Sequence, residues 1–145
     1  MAKVLYTARA TVSGGRREGH GRTDDGQLDV QLRAPAELGG EGGGTNPEQL
    51  FAVGYAACFE GAIGVMGRRE RAEVGDVSID SRVTLTPVED RTMRIGVELD
   101  VSLPQVDDGE LAEKIVRGAH EVCPYSNATR GNIDVRLSVN GRSLD

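Results

Sequence analysis

Apolar and polar residues alternate along several stretches of this chain and recur at helical spacing in two others. Val4, Tyr6, Ala8, Ala10 and Val12 alternate with polar neighbours, the period of a half-buried strand, and Ser13-Gly14-Gly15 ends it. Asp24-Asp25-Gly26 is a hairpin signal, and Leu28, Val30 and Leu32 alternate after it. Val77, Ile79, Val83 and Leu85 pair by pattern with Ile95, Val97, Leu99, Val101 and Leu103 across a turn at Pro87 to Arg91, which predicts a long antiparallel hairpin. Ile133, Val135, Leu137 and Val139 predict a last strand.

Two helices interrupt this pattern. The first is predicted from Pro47 to Met66 or Gly67. Asn46 stands at its cap, Pro47 at its first position and Glu48 in its first turn. Leu50, Phe51, Val53, Ala57 and Phe59 make it apolar on most sides, so it is expected to be central and buried. A solvated charged run at Arg68 to Arg71 follows it. The second is capped by Asp107 or Asp108 and shows an apolar face of Leu111, Ile115, Ala119 and Val122, with Ala112 and Val116 beside it. Pro124 stops it, which puts Cys123 at its end and a polar turn at residues 126–132. The order strands, helix, hairpin, helix, strand predicts one α+β domain over residues 1–145, with antiparallel sheets around a long central helix.

Composition narrows the function. The 145 residues carry a net charge of −6, which argues against a nucleic-acid partner, because that affinity rests on Lys and Arg neutralising phosphates. No apolar run is expected to reach the roughly 20 residues of a membrane span, and the N-terminus reads as a strand without a signal peptide. The expected compartment is the cytoplasm, with no membrane partner. The five glycines of residues 34–45 do not form a phosphate loop, since no Gly-Lys-Ser/Thr ending follows.

The two cysteines, Cys58 and Cys123, remain. They can be buried core thiols, since free cysteine is often buried. With His20 and His120 they can also be zinc ligands, although only His120 and Cys123 have a useful local spacing. Cys58 and His120 can be a nucleophile–base pair, as in acyl-transfer enzymes. The fourth reading is thiol redox chemistry. It needs a thiolate, hence a fixed cation against the effect of burial. Arg16 on its Gly-Gly turn is the candidate cation, and Glu48 a carboxylate to hold it. Glu48 and Cys58 lie roughly 15 Å apart along a helix and about 80° apart around it, so they cannot meet directly. Either Arg16 bridges the gap or a partner subunit supplies Glu48, with or without Arg16; a site built between two chains is the expectation.

TNPEQLFAVGYAACF and EVCPYSNATRGNIDV resemble the two signature segments of the organic hydroperoxide resistance proteins, within the superfamily of osmotically inducible protein C. KVLYTARATVSGGR, DGQLDVQL, ELGGEGGGTNPEQ and VELDVSLP extend the resemblance over nearly the whole chain. It implies a cysteine-based peroxidase that reduces organic hydroperoxides to alcohols, without a metal or other cofactor. Cys58 is implied as the peroxidatic cysteine, Cys123 as the resolving one, Arg16 as the active-site arginine and Glu48 as its partner. The resemblance also implies an intertwined homodimer and reduction by a lipoylated protein or dihydrolipoamide. Phe51, Phe59, Met66 and Tyr125 are the candidate apolar walls for substrate. The chain departs from the usual pattern at Ala56, at Glu60, which is expected on a rim or solvent face, and in the charged residues 68–73.

Overall fold

The computed structural model describes residues 2–145, apart from the Arg16 side chain. The chain divides into two compact units, Met1–Leu50 and Phe51–Asp145.

The first unit is a three-stranded antiparallel sheet of β1 (Ala10–Ser13), β2 (Gly19–Thr23) and β3 (Asp29–Leu32), in that order. Only Ala10–Ser13 of the expected first strand joins it; residues 2–9 form no ladder, and Val4, Leu5 and Tyr6 are exposed, Leu5 at 94 %. A four-residue helical turn, α1 (Gly15–Glu18), links β1 to β2. Gly14 and Gly15 enter it at φ 85° and 71°, a left-handed pair that residues with a side chain adopt only at a cost. The hairpin at Asp24–Gly26 forms as the sequence predicts: Gly26 takes φ 73°, and the Thr23 N–H donates to the Leu28 carbonyl at 2.9 Å.

The long helix α2 (Pro47–Arg69) begins in this unit and continues into the second. Asn46 caps it: its Oδ1 accepts from the Gln49 N–H at 2.9 Å. At 23 residues and a mean hydropathy of 1.5, α2 has the length and apolarity of a membrane span, contrary to the expectation from sequence. One side of it is core, with Tyr55, Phe59 and Ile63 fully buried, but the expected burial on most sides does not hold in the single chain, where Val53 is 70 % exposed.

The second unit is a four-stranded sheet in the order β4 (Ser78–Pro87), β5 (Met93–Ser102), β6 (Val135–Val139), β7 (Arg142–Ser143). The β4–β5 hairpin is antiparallel in one continuous register from Ser78↔Ser102 to Pro87↔Met93. One pair departs from the antiparallel pattern: β5 and β6 run parallel, Val97 opposite Val135. A parallel pair needs a long crossover, and the helices between the strands supply it. They are α3 (Gly109–Val122) and α4 (Pro124–Thr129). Asp108 caps α3, accepting from the Glu110 and Leu111 N–H groups. The expected polar turn after Pro124 is instead α4, because a proline at the first helical position starts a helix as well as ending the one before. Tyr55, Phe59, Ile63 and Met66 of α2 meet Ile115, Val116 and Ala119 of α3 and Val97, Leu99 and Leu137 of the sheet in one apolar cluster.

Candidate active site

Cys58 lies on α2, partly buried; Cys123 is fully buried at the corner where α3 ends and α4 begins. Though 65 residues apart in sequence, their sulfurs lie 3.4 Å apart, and the Cys123 thiol donates toward Cys58. Both are free thiols. The backbone at Cys123 (φ −66°, ψ 123°) is extended, so the chain changes direction there between α3 and α4.

Burial pushes the Cys58 thiol above its ordinary value. The neighbouring Cys123 adds to this rise, and the Tyr125 backbone N–H, donating to Cys58 from the first turn of α4, opposes it. These groups by themselves leave Cys58 a thiol at neutral pH.

An aromatic cluster adjoins the pair. The Tyr125 ring packs 5.6 Å from Tyr55 and 6.0 Å from Phe51, centroid to centroid. Gly54 makes room for it, since a Cβ there would stand 2.9 Å from the Tyr125 hydroxyl. Of the expected substrate walls, Phe51 and Tyr125 lie at this partly exposed edge, Tyr125 at 38 %. Phe59 and Met66 instead fall within the core, which the helical period alone does not distinguish from a pocket face. Glu60 is exposed, as expected.

In the first unit, a cavity of about 300 Å³ is lined by Val12, Leu32, Pro35 and Leu38, with Gly15 and Glu48 at its wall. The Arg16 side chain lies outside the described residues, but its backbone follows Gly15 directly.

The histidines are otherwise engaged. His20 bonds Asp29 at 2.5 Å, and His120 Nδ1 bonds the Ser126 hydroxyl at 2.8 Å rather than Cys58. Among the described residues no three His, Cys, Asp or Glu side chains cluster as metal ligands would. Sequence reading missed the polar groups that join the elements carrying the thiols: the Tyr55 hydroxyl meets Ser126 at 2.8 Å and Thr129 at 3.1 Å. Their spacing, three residues before Cys58 and three and six after Cys123, is the signal that was available.

An α+β fold with a long helix between two sheets, bringing two distant free thiols to contact, defines a fold class that comparison with known proteins identifies. The family model described as OsmC-like protein matches residues 40–138. The organic hydroperoxide resistance protein of Xanthomonas axonopodis pv. citri is 53 % identical over 139 residues, covering 94 % of this chain and 96 % of that one. The crystal structure of an organic hydroperoxide resistance protein from Legionella pneumophila aligns with a TM-score of 0.89 at 52 % identity, covering 94 % and 98 % of the two chains. That of the organic hydroperoxide resistance protein OhrB of Bacillus subtilis aligns at 0.84 and 47 %, covering 94 % and 99 %. The chain belongs to the organic hydroperoxide resistance family of OsmC-like proteins.

Proposed function

We propose that this protein is a cysteine-based peroxidase that reduces organic hydroperoxides to alcohols. The observation that carries the reading is the 3.4 Å approach of Cys58 and Cys123. The Cys58 thiolate attacks the distal oxygen of R–O–O–H; the O–O bond breaks, the alkoxide takes a proton and leaves as ROH, and Cys58 becomes a sulfenic acid. Cys123 then attacks the Cys58 sulfur. The S–S bond forms and the sulfenic oxygen leaves as water. An external dithiol reduces the disulfide by exchange, and a lipoyl group suits this step because its second thiol resolves the mixed disulfide internally.

Arg16 is the cation in this reading. It offsets the burial that holds Cys58 protonated, with Glu48 holding the guanidinium. The backbone supports that pairing, because Gly15 and Glu48 line one cavity. The Phe51–Tyr125 edge suits the alkyl or aryl part of a hydroperoxide. We read the protein as a homodimer. Val4, Leu5, Tyr6, Val12 and Val53 are too exposed for a lone chain, and β4 borders an open groove lined by Ala52, Val53, Ala56 and Ala57 of α2. We take residues 1–145 as one functional domain, since the family match crosses the boundary between the units. We place it in the cytoplasm, where both thiols stay reduced between turnovers.

The test is turnover of cumene hydroperoxide with dihydrolipoamide. Wild type should turn over and Cys58→Ser should not; Phe51→Ala should raise KM for cumene hydroperoxide while leaving hydrogen peroxide consumption unchanged. Absence of turnover with every organic hydroperoxide tried, or full activity in Cys58→Ser, would end the reading.

A further inference from the structure

The elements that carry the two cysteines are also joined by a chain of polar groups that peroxide chemistry at Cys58 does not call for. His120 Nδ1 meets Ser126 Oγ at 2.8 Å, Ser126 Oγ meets Tyr55 Oη at 2.8 Å, and Tyr55 Oη meets Thr129 Oγ1 at 3.1 Å. Tyr55 and Ser126 are fully buried and Thr129 nearly so. Phe, Ala and Val would fill that space without polar atoms to satisfy, so the hydroxyls have to be explained by the geometry they fix.

Proton counting gives the chain a direction. Each hydroxyl has one proton to give. Thr129 Oγ1 donates to the Ser126 carbonyl at 3.3 Å. Every other contact is then a hydrogen bond in only one arrangement: Tyr55 donates to Thr129, Ser126 donates to Tyr55, and His120 donates to Ser126 from a protonated Nδ1. Burial and the Arg130 guanidinium lower the His120 pKa, consistent with a neutral ring bearing its proton on Nδ1.

The placement matters more than the chemistry of each link. Tyr55 stands one turn before Cys58 on α2. His120 is in the last turn of α3 and Ser126 in the first turns of α4, on either side of Cys123. No helix runs through this corner. Two backbone bonds end at it from either side, Cys123 N–H to the Ala119 carbonyl and Asn127 N–H to the Cys123 carbonyl. From outside, Arg130 straps it, donating to the His120 carbonyl and to Asn127 Oδ1.

We propose that Tyr55, Ser126 and His120 are positioning residues for disulfide formation, holding the Cys123 corner against the Cys58 turn so that resolution outruns a second oxidation of Cys58. The inference rests on the peroxidase reading above. Two reactions compete for the Cys58 sulfenic acid. In one, the Cys123 sulfur forms the S–S bond, the S–O bond breaks, and the thiol proton leaves with the oxygen as water. In the other, a second hydroperoxide transfers its distal oxygen to sulfur, giving sulfinic acid and ROH. Only the first depends on the distance between the two sulfurs, so loosening the corner should change the partition and leave the first oxidation alone.

The experiment mixes reduced full-length protein with excess tert-butyl hydroperoxide and follows intact mass over time, with a sulfenic-acid trap run in parallel. Wild type should lose two hydrogens. Tyr55→Phe keeps the ring and removes the hydroxyl; Cys58 should oxidise at the wild-type rate, with disulfide forming about tenfold more slowly, the order of effect of one lost buried hydrogen bond. A species heavier by two oxygens should then accumulate. Ser126→Ala should behave alike. His120→Leu should match Tyr55→Phe, and His120→Asn, whose amide N–H replaces the Nδ1 donor, should restore the wild-type partition. Wild-type partition in Tyr55→Phe and His120→Leu would overturn the proposal. So would an equal slowing of both oxidation steps, or no rescue by Asn. A wild-type protein that oxidises but forms no disulfide would instead remove the peroxidase reading, and this inference with it.

Discussion

Gly14→Ala is a sharp test of whether the turn before Arg16 is part of the active site. Gly14 has φ 85°, and a Cβ built there would lie 2.4 Å from the Glu18 carbonyl oxygen and 3.1 Å from its carbon. The obstacles are backbone atoms, so no side-chain rotation relieves them; the turn itself must open by at least about 0.6 Å to reach a tolerable contact. Gly15, the next residue, has φ 71° but nothing within 4 Å of its would-be Cβ. The pair separates two costs. Gly15→Ala should lose only the left-handed penalty, about 1–2 kcal/mol, seen as a lower denaturation midpoint with an unchanged slope. Gly14→Ala should lose that and also displace the turn that carries Arg16. Misplacement of a catalytic group by about 1 Å can cost 10²-fold, so a shift near half that predicts a loss in kcat/KM of about tenfold with cumene hydroperoxide. The assays are kcat/KM for both variants and denaturant unfolding of each. If Gly14→Ala and Gly15→Ala lose the same activity and stability, the turn is not holding Arg16 in register and the reasoning fails.

Three further outcomes follow from the site. Arg16→Gln should move the pH midpoint of Cys58 alkylation by iodoacetamide upward by about one to three pH units, since burial then acts unopposed; an unmoved midpoint would mean that Arg16 is not the cation. His120 is harder to protonate in the fold than in the unfolded chain, where its value is near 6.5. Its contribution to stability is therefore complete above that value and is lost as pH falls from there through the lowered native value. Denaturation midpoints between pH 7 and about pH 5 should fall less in His120→Asn than in wild type, and equal slopes would count against a buried neutral imidazole. Val53 is 70 % exposed in the single chain, so on the homodimer reading Val53→Asp should leave the fold intact and shift the light-scattering mass from that of two chains to that of one. An unchanged dimer would take α2 out of the interface.

The local rules were legible in the residues themselves. Asn46-Pro47-Glu48 set the start of α2, Asp108 capped α3, Asp24-Asp25-Gly26 turned the hairpin, and period-two alternation gave β4 opposite β5. Each depends on neighbours within a few positions, so sequence suffices. The segments around Cys58 and Cys123 also carry the family resemblance in sequence alone. The α4 helix was not legible, because Pro124 is at once a stop for one helix and a start for the next. Nor could periodicity tell that Phe59 and Met66 face the core while Phe51 and Tyr125 reach its edge, since all four are apolar residues and only packing assigns their surroundings.

Sequence by itself determined the two long helices, the β4–β5 hairpin, the family and the two thiols. Tertiary structure decided that those thiols lie 3.4 Å apart, that β6 runs parallel to β5, and that Tyr55, Ser126 and His120 join the elements that carry the pair. The physical reason is the same in each case. Capping, turn and periodic signals act over a few residues of chain, whereas a sulfur–sulfur contact across 65 residues exists only once α2, α3 and the sheet have closed around one core.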